Sequence, residues 1–166
     1  ISVDMWGKKN EWVRYRSHWS DVIDNLRILD DTGDNINPRL SACVHALNIY
    51  DIPDMAENCL NAGFKKVGNI YDKLFHVQTV QYPEYMSSQV LPLEVKSKVK
   101  EHWESFSHLK EINQWKTNIE RQIDFMMSED HSHLMPQLLE YKSKLDQLHG
   151  TNYSEYFPEF SELLDG

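Results

Sequence analysis

The sequence has few cysteines, no excess of basic residues and no long apolar run. Its 166 residues carry 26 acidic and 17 basic side chains, for a formal net charge of −9. A protein that binds the phosphate backbone of nucleic acids needs a basic face, so this balance argues against such a partner. No apolar stretch approaches the roughly 20 residues that span a bilayer, and the N-terminus lacks the pattern of a secretion signal. We therefore expect a cytoplasmic protein without a nucleic-acid or membrane partner.

The scarcity of cysteine limits the chemistry further. Cys43 and Cys59 fall in a predicted strand and a predicted helix, and we interpret them as reduced core thiols rather than as a disulfide. The sequence contains no G-x-S-x-G nucleophile elbow, no phosphate-binding P-loop and no paired cysteine motif. It also shows no repeats and no low-complexity segment, and its length is enough for one domain with a substantial core.

The first half of the chain alternates short strands with amphipathic helices. Strands are predicted at 1–4, 40–47 and 74–81 from the two-residue alternation of apolar side chains. Helices are predicted at 20–30, where apolar residues recur at helical spacing, and from about Asp51 to Gly63. Such alternation implies right-handed crossovers between parallel strands.

Each predicted strand is apolar on one face and partly polar on the other, which is unusual for a parallel sheet covered by helices on both sides. Helices can cover the apolar face, whereas the polar face suits a wet lumen or a bound ligand. We therefore predict an α/β fold, a partial (half) parallel α/β barrel. An antiparallel sheet with one solvated face is the alternative. The candidate substrate- or lumen-lining residues are Cys43, His45, His76 and Gln78.

The second half of the chain lacks the strand pattern and has the periodicity of helices. We divide the sequence into a partial barrel of three strand–helix units over 1–91 and a helical C-terminal extension over 92–166 that packs on it. The predicted helices lie near 92–106, 112–126 and 134–149. The tail residues expected to pin the C-terminus to the body are Tyr156, Phe157 and Phe160.

One group of potential metal ligands, Glu129, Asp130, His131 and His133, follows the second of these helices. Residues i and i+2 of a helix face apart, and no further ligand at metal spacing lies nearby. The segment Ser128-Glu129-Asp130 is better explained as an N-terminal helix cap. We therefore predict no metal site.

His45 and His76 lie on the polar faces of neighbouring predicted strands. They are either satisfied core histidines or part of a site, and a small independent enzyme that uses both with Asp4 is one hypothesis. Cys43 and His45, at i and i+2 of a strand, are about 7 Å apart, too far for a nucleophile–base pair. The catalytic residues therefore stay unassigned.

A series of short motifs runs in order along the chain. Its members are Ile1-Ser2-Val3-Asp4, Glu11-Trp12-Val13-Arg14, Asn48-Ile49-Tyr50-Asp51-Ile52-Pro53, Tyr82-Pro83-Glu84-Tyr85-Met86 with Leu91-Pro92, Met127-Ser128-Glu129-Asp130 with His133-Leu134, and the tail from Thr151 to Pro158. The series resembles the middle and C-terminal regions of radical S-adenosylmethionine enzymes. It is most similar to those with SPASM or twitch auxiliary domains, and its C-terminal part resembles phage- and marine-bacterium-associated members with an N-terminal twitch domain. The likeness covers nearly the whole chain through individually soft motifs.

The resemblance implies a set of cofactor-binding residues. Ser2 would lie at the ribose or methionine end of S-adenosylmethionine, and Asp4 would point toward the substrate. Arg14 would pair with the cofactor carboxylate, a role suited to its forked guanidinium. Asn48 would close the mouth of the next strand. Sites in this family lie at the carboxyl ends of barrel strands, in agreement with the polar face.

Two departures limit the resemblance. Met5 follows Asp4 where the family has glycine, and the C-x3-C-x2-C loop that holds the four-iron four-sulfur cluster is absent. Two cysteines cannot replace it, because such a cluster needs at least three thiolates on one side. The resemblance thus implies the C-terminal portion of a radical S-adenosylmethionine enzyme, truncated and inactive alone. We expect no cofactor in this fragment, and S-adenosylmethionine with the cluster in the full-length enzyme.

An isolated half barrel would also expose two unpaired strand edges and an open inner face. We therefore expect a homodimer or higher self-association that covers them. The alternative function is a self-associating binding or assembly module without enzymatic activity. Parallel pairing of the 1–4 segment with the 40–47 strand favours the enzyme fragment, whereas a helical bundle with these segments apart favours the module.

Overall fold

The computed structural model describes residues 1–33, 38–67, 75–106 and 113–165. It is 64% helical, and the sheet formed by these residues has two strands. The strands are β1 (Leu40–Val44) and β2 (Phe75–Thr79). The helices are α1 (Lys8–Val13), α2 (Trp19–Asp30), α3 (Ile52–Asn61), α4 (Leu93–Ser105), α5 (Asn113–Ser128), α6 (Met135–His149), α7 (Tyr153–Tyr156) and α8 (Pro158–Asp165). None of the described helices is both long and apolar enough to cross a membrane.

The predicted partial α/β barrel is wrong, because the fold is mostly helical around a small parallel sheet. β1 pairs with β2 in parallel, from Leu40 opposite Phe75 to Val44 opposite Thr79. The N-terminal segment adds one isolated parallel bridge, between Ser2 and Ser41. Positions 74 and 112, which begin a predicted strand and a predicted helix, lie outside the described residues.

Side-chain hydrogen bonds replace the backbone pairing between strands before the predicted strands end. Next to the Ser2 bridge, the carboxylate of Asp4 takes the backbone N–H of Cys43 at 2.8 Å, where a third strand would offer a carbonyl. Past Val44, the amide of Asn48 accepts from the N–H of His45 and donates to the carbonyl of Cys43, both at 2.9 Å. The alternation of apolar and polar residues therefore extends beyond the residues that pair as strands.

The core lies on the apolar side of the sheet and extends into the helices. Leu40, Ala42 and Val44 of β1 are buried with Met55 of α3 and Trp103 of α4. The indole N–H of Trp103 donates to a backbone carbonyl in the turn that precedes α3, at 2.7 Å. The core thus joins the first half of the chain to the helices of the second half.

Aromatic residues pack the C-terminal helices against the core, as expected for the tail. Phe157 and Phe160 are fully buried, and so is Tyr153, whereas Tyr156 is partly exposed. Asp146 of α6 fastens this region: its carboxylate accepts from the indole N–H of Trp12 at 2.9 Å and from the backbone N–H of Tyr153 at 3.0 Å. One carboxylate therefore links α1, α6 and α7.

Candidate functional site

The N-terminal segment and β1 end side by side, and the buried carboxylate of Asp4 lies at this edge. Its Oδ1 accepts the N–H of Cys43, and its Oδ2 lies 2.8 Å from Nε of Arg14. The Nε–H of Arg14 is not aligned as a hydrogen bond, so the contact is an ion pair. Because the Arg14 side chain is 37% exposed, the guanidinium is also open to other partners.

The residues after β1 form a loop that is closed by its own side chains. Asn48 binds the backbone of Cys43 and His45 with both ends of its amide, and the N–H of Leu47 donates to Nδ1 of His45 at 3.2 Å. Burial lowers the pKa of His45 to about 4, although the Asp4 carboxylate acts in the opposite direction. The imidazole is therefore uncharged at neutral pH.

The polar face of the sheet is open beside this loop. Cys43 lies opposite Gln78, with Sγ 3.6 Å from Oε1, and His76 lies opposite Ser41. His76 and Gln78 are exposed, whereas Cys43 is half-buried. Burial and the neighbouring Asp4 raise the pKa of the Cys43 thiol, against the effect of Arg14. Since the thiolate is the nucleophile, Cys43 is a poor candidate for covalent catalysis.

The structure brings most of the predicted site residues together. Contacts along the sheet edge and the His45–Asn48 loop join Asp4, Arg14, Cys43, His45, Asn48 and Gln78. Ser2 and His76 lie in the row nearer the amino ends of the strands, and both are exposed. The two histidines differ accordingly: His45 is buried and hydrogen-bonded, whereas His76 faces solvent.

Sequence reasoning missed Asn10 of α1, which holds the backbone at Asp4. This residue is 1% exposed, and its Oδ1 accepts the N–H groups of Asp4 and Met5 at 3.1 and 3.3 Å. The same reasoning assigned Asn48 to the cofactor, but both ends of that amide already bind backbone. Asn48 therefore shapes the loop. Neither role has a signal in the sequence, because both depend on which backbone groups lie nearby.

The acidic and histidine residues after α5 make local contacts. Nε2 of His131 lies 2.9 Å from Oε2 of Glu129, and Asp130 accepts the N–H of Ser132 at 2.9 Å. The Asp130 contact lies in the turn before α6. The predicted helix cap at Ser128-Glu129-Asp130 is wrong, because Ser128 is the last residue of α5 and the N-cap of α6 is Leu134, which makes no side-chain cap bond. In the part of the chain that the structure describes, no three His, Cys, Asp or Glu side chains are grouped to hold a metal ion.

Comparisons with known proteins add no assignment to this geometry. No protein-family model matches the chain. No curated protein and no solved structure matches it either. A proposal for function therefore depends on the sheet edge around Asp4 and Arg14 and on the motifs of the sequence.

Proposed function

We propose that this chain contributes the cofactor-facing edge of a radical S-adenosylmethionine enzyme and has no activity alone. The observation that carries the proposal is the ion pair of Asp4 with Arg14 at the carboxyl end of a segment aligned in parallel with β1. Ligands of parallel sheets bind beyond the carboxyl ends of the strands. The family resemblance assigns both residues to the cofactor or the substrate side.

The side chains at this edge fit the methionine part of S-adenosylmethionine. The guanidinium of Arg14 faces Asp4 with Nε, and its remaining N–H groups can bind a carboxylate. The Asp4 carboxylate, bound to one backbone N–H and one guanidinium, has further lone pairs for an ammonium or hydroxyl group. A ligand with both an amino and a carboxylate group therefore matches the pair.

The four-iron four-sulfur cluster does not fit these residues. Cys43 is half-buried on the polar face, whereas Cys59 is buried in α3, where burial raises its thiol pKa to about 12. A cluster of this type needs at least three thiolates, and the sequence has two cysteines. We assign the cluster to polypeptide other than these 166 residues.

The coding sequence upstream of Ile1 tests the proposal first. An in-frame C-x3-C-x2-C motif, which would supply the three thiolates of the cluster, is the expected result. A start codon directly before Ile1 would contradict the enzyme assignment, because the cluster ligands would then be missing.

Calorimetric titration with S-adenosylhomocysteine tests the cofactor edge itself. We expect binding to the wild-type chain and about tenfold weaker binding to Arg14→Gln, because a charge-assisted hydrogen bond is lost. The matched control is Arg27→Gln, since Arg27 is 68% exposed on α2 and lies outside the site. Equal affinity of Arg14→Gln and wild type would contradict the assignment.

A self-associating binding module is the second candidate function. It is favoured by the exposure of His76 and Gln78 on a parallel sheet, a type of sheet that is usually covered on both faces. Among the described residues, β2 pairs with β1 alone, and a second copy would pair along its other edge. In this reading, two copies cover the face in a homodimer.

Light scattering after gel filtration tests the second candidate. A dimer of the 19.6-kDa chain that dissociates on Gln78→Glu would support self-association through the polar face. A monomer at every concentration would remove this candidate and leave the enzyme assignment in place.

A further inference from the structure

A cavity of about 340 Å³ lies between the start of α1, one face of α3 and the short helix α7. Its volume is at the lower end of the range for ligand pockets, about 300–1,000 Å³, which suits a small molecule. Neither Asp4 nor Arg14 is among the described residues that line it. The cavity is therefore distinct from the edge that we propose to face the cofactor.

Part of the cavity lining is apolar and aromatic. Met5 and Met55 are buried at this wall. Trp6 and Tyr156 are half-buried beside them, and the ring of Trp6 packs on Trp19 with the ring centroids 4.7 Å apart. Methionine side chains adapt to the shape of an apolar group, and aromatic rings offer a large contact area. This part of the cavity suits a short apolar or aromatic group.

Asp51, the residue before α3, lines the cavity as a buried carboxylate. It is 5% exposed, and its Oδ1 forms an ion pair with Lys9 of α1. Its Oδ2 is enclosed and has no hydrogen-bond partner among the described residues. Burial raises the pKa of Asp51 against the effect of Lys9, since an enclosed carboxylate oxygen without a donor is costly. A positively charged group in the cavity would offset this cost.

Two further charged side chains of the lining are unpaired. Lys8 and Glu155 are both exposed, and neither pairs with a residue in the part of the chain that the structure describes. Asp54 also lines the cavity, but its Oδ2 already lies 3.1 Å from Nε2 of His102. The cavity thus offers one unpaired charge of each sign beside the half-satisfied carboxylate of Asp51.

We infer that this cavity binds a zwitterionic α-amino acid with an apolar or aromatic side chain. The ammonium group faces Asp51 and Glu155, the carboxylate faces Lys8, and the side chain packs against the methionine and aromatic wall. An amine without a carboxylate would leave Lys8 unpaired, and an acid without an ammonium group would leave both carboxylates without a donor. The inference goes beyond the proposed cofactor edge and does not depend on it.

Three probes that share one ring test the inference by calorimetric titration at pH 7. Phenylalanine carries both charged groups, phenethylamine lacks the carboxylate, and 3-phenylpropionate lacks the ammonium group. We expect phenylalanine to bind about tenfold more tightly than either of the others, because each of them loses one charge-assisted contact. Phenethylamine or 3-phenylpropionate that binds as tightly as phenylalanine would overturn the inference, and so would the absence of phenylalanine binding at millimolar concentration.

Two exposed substitutions assign each charge to its partner without disturbing the core. Lys8→Gln is expected to weaken phenylalanine about fivefold and to leave phenethylamine unchanged, since that probe has no carboxylate to lose. Glu155→Gln is expected to weaken phenylalanine similarly and to leave 3-phenylpropionate unchanged. The matched controls are Lys144→Gln and Glu140→Gln on α6, where the side chains are 68% and 64% exposed. Variants that bind phenylalanine as the wild type does would contradict the assigned contacts.

S-adenosylhomocysteine also carries an amino and a carboxylate group, so the same variants show which site it uses. Weaker binding of this probe to Lys8→Gln, with no change in Arg14→Gln, supports the cavity and contradicts the cofactor edge. A chain that binds S-adenosylhomocysteine through Arg14 and fails to bind phenylalanine supports the edge and overturns the cavity. The failure of one proposal is therefore distinguishable from the failure of the other.

Discussion

Tyr153 of α7 donates its hydroxyl hydrogen to the carbonyl oxygen of Leu47 at 2.7 Å, inside the core. The tyrosine is 1% exposed, and burial, followed by the charge of Asp51, raises its pKa well above the ordinary value. Leu47 is also the residue whose N–H fixes the ring of His45. The C-terminal helices thus support the loop that forms the candidate site.

Removal of this hydroxyl is expected to destabilise the fold. Tyr153→Phe leaves the Leu47 carbonyl unpaired in the core, at a cost of about 1–2 kcal/mol in the free energy of unfolding. Urea denaturation measures the loss. The matched control is Tyr156→Phe in the same helix, since Tyr156 is partly exposed and its hydroxyl has no partner among the described residues. Equal losses in the two variants would contradict a specific role for the Leu47 bond.

Asp30 at the end of α2 anchors the segment after α3. Its carboxylate accepts the backbone N–H groups of Lys65, Lys66 and Val67 at 2.7, 2.6 and 2.8 Å. Asp30→Asn is expected to cost roughly 2 kcal/mol at pH 7, because charge-assisted bonds are replaced by weaker ones. Asp31→Asn is the control, since Asp31 is 69% exposed and pairs with Lys65 at the surface. A similar loss in both variants would argue against the anchor.

The Asp30 anchor also predicts how stability depends on pH. Burial acts to raise the pKa of this carboxyl, but the three backbone N–H bonds prevail and hold it below the ordinary 3.8. A depressed pKa in the folded state means that the stabilisation is complete above about pH 4 and is lost as the pH falls through the folded value. The difference in unfolding free energy between wild type and Asp30→Asn should therefore narrow as the pH falls from about 4 to about 2 in urea titrations. A constant difference would contradict this.

The Asp4–Arg14 pair should show measurable coupling in a double-mutant cycle. Asp4→Asn keeps the acceptor for the Cys43 N–H and removes the charge, and Arg14→Gln removes the partner. We expect a coupling free energy of about 1 kcal/mol, modest because Arg14 is more than a third exposed. The comparison is the Asp24–Arg27 pair at 3.7 Å, in which both side chains are 68% exposed. The coupling free energy there should be undetectable. Equal coupling in the two cycles would contradict a stronger interaction between Asp4 and Arg14.

The two free thiols should differ in reactivity. Cys43 is half-buried on the polar face, whereas Cys59 is enclosed in α3. With Ellman's reagent at pH 8, Cys43 is expected to react slowly in the folded chain, because its thiol pKa is raised, and Cys59 is expected to react only after urea unfolds the chain. Cys43→Ser should abolish the reaction of the folded chain. Equal rates for both thiols in the folded chain would contradict the described packing.

Periodicity locates the long helices, but tertiary contacts set their ends. The pattern of the sequence predicts the first long helix from Ser20, and α2 begins at Trp19, because the carboxylate of Glu11 accepts the Trp19 N–H at 2.6 Å. Glu11 lies in α1, a helix of six residues that is too short to have a distinct apolar period. The cap therefore comes from a residue that local sequence rules do not associate with α2.

Alternating polarity brings several candidate residues onto one face, but it does not show what each side chain contacts. It correctly groups Cys43 with Gln78 across two parallel strands. It predicts a barrel because polar side chains on one face of a sheet suggest a lumen. In the structure, His76 on that face is exposed to solvent, which explains its polarity without a barrel. The binding of the Asn48 amide to backbone is invisible to any periodic pattern.

The carboxylate of Asp146 has a consequence for how the chain acquires its fold. Its partner Trp12 lies 134 residues earlier, in a helix too short to persist alone. During synthesis, the indole of Trp12 therefore lacks this partner until Asp146 has emerged. Contacts between such distant positions slow folding and make it cooperative. A nascent chain released before α6 is complete would carry Asp4 and Arg14 without the bond that links α1 to the C-terminal helices.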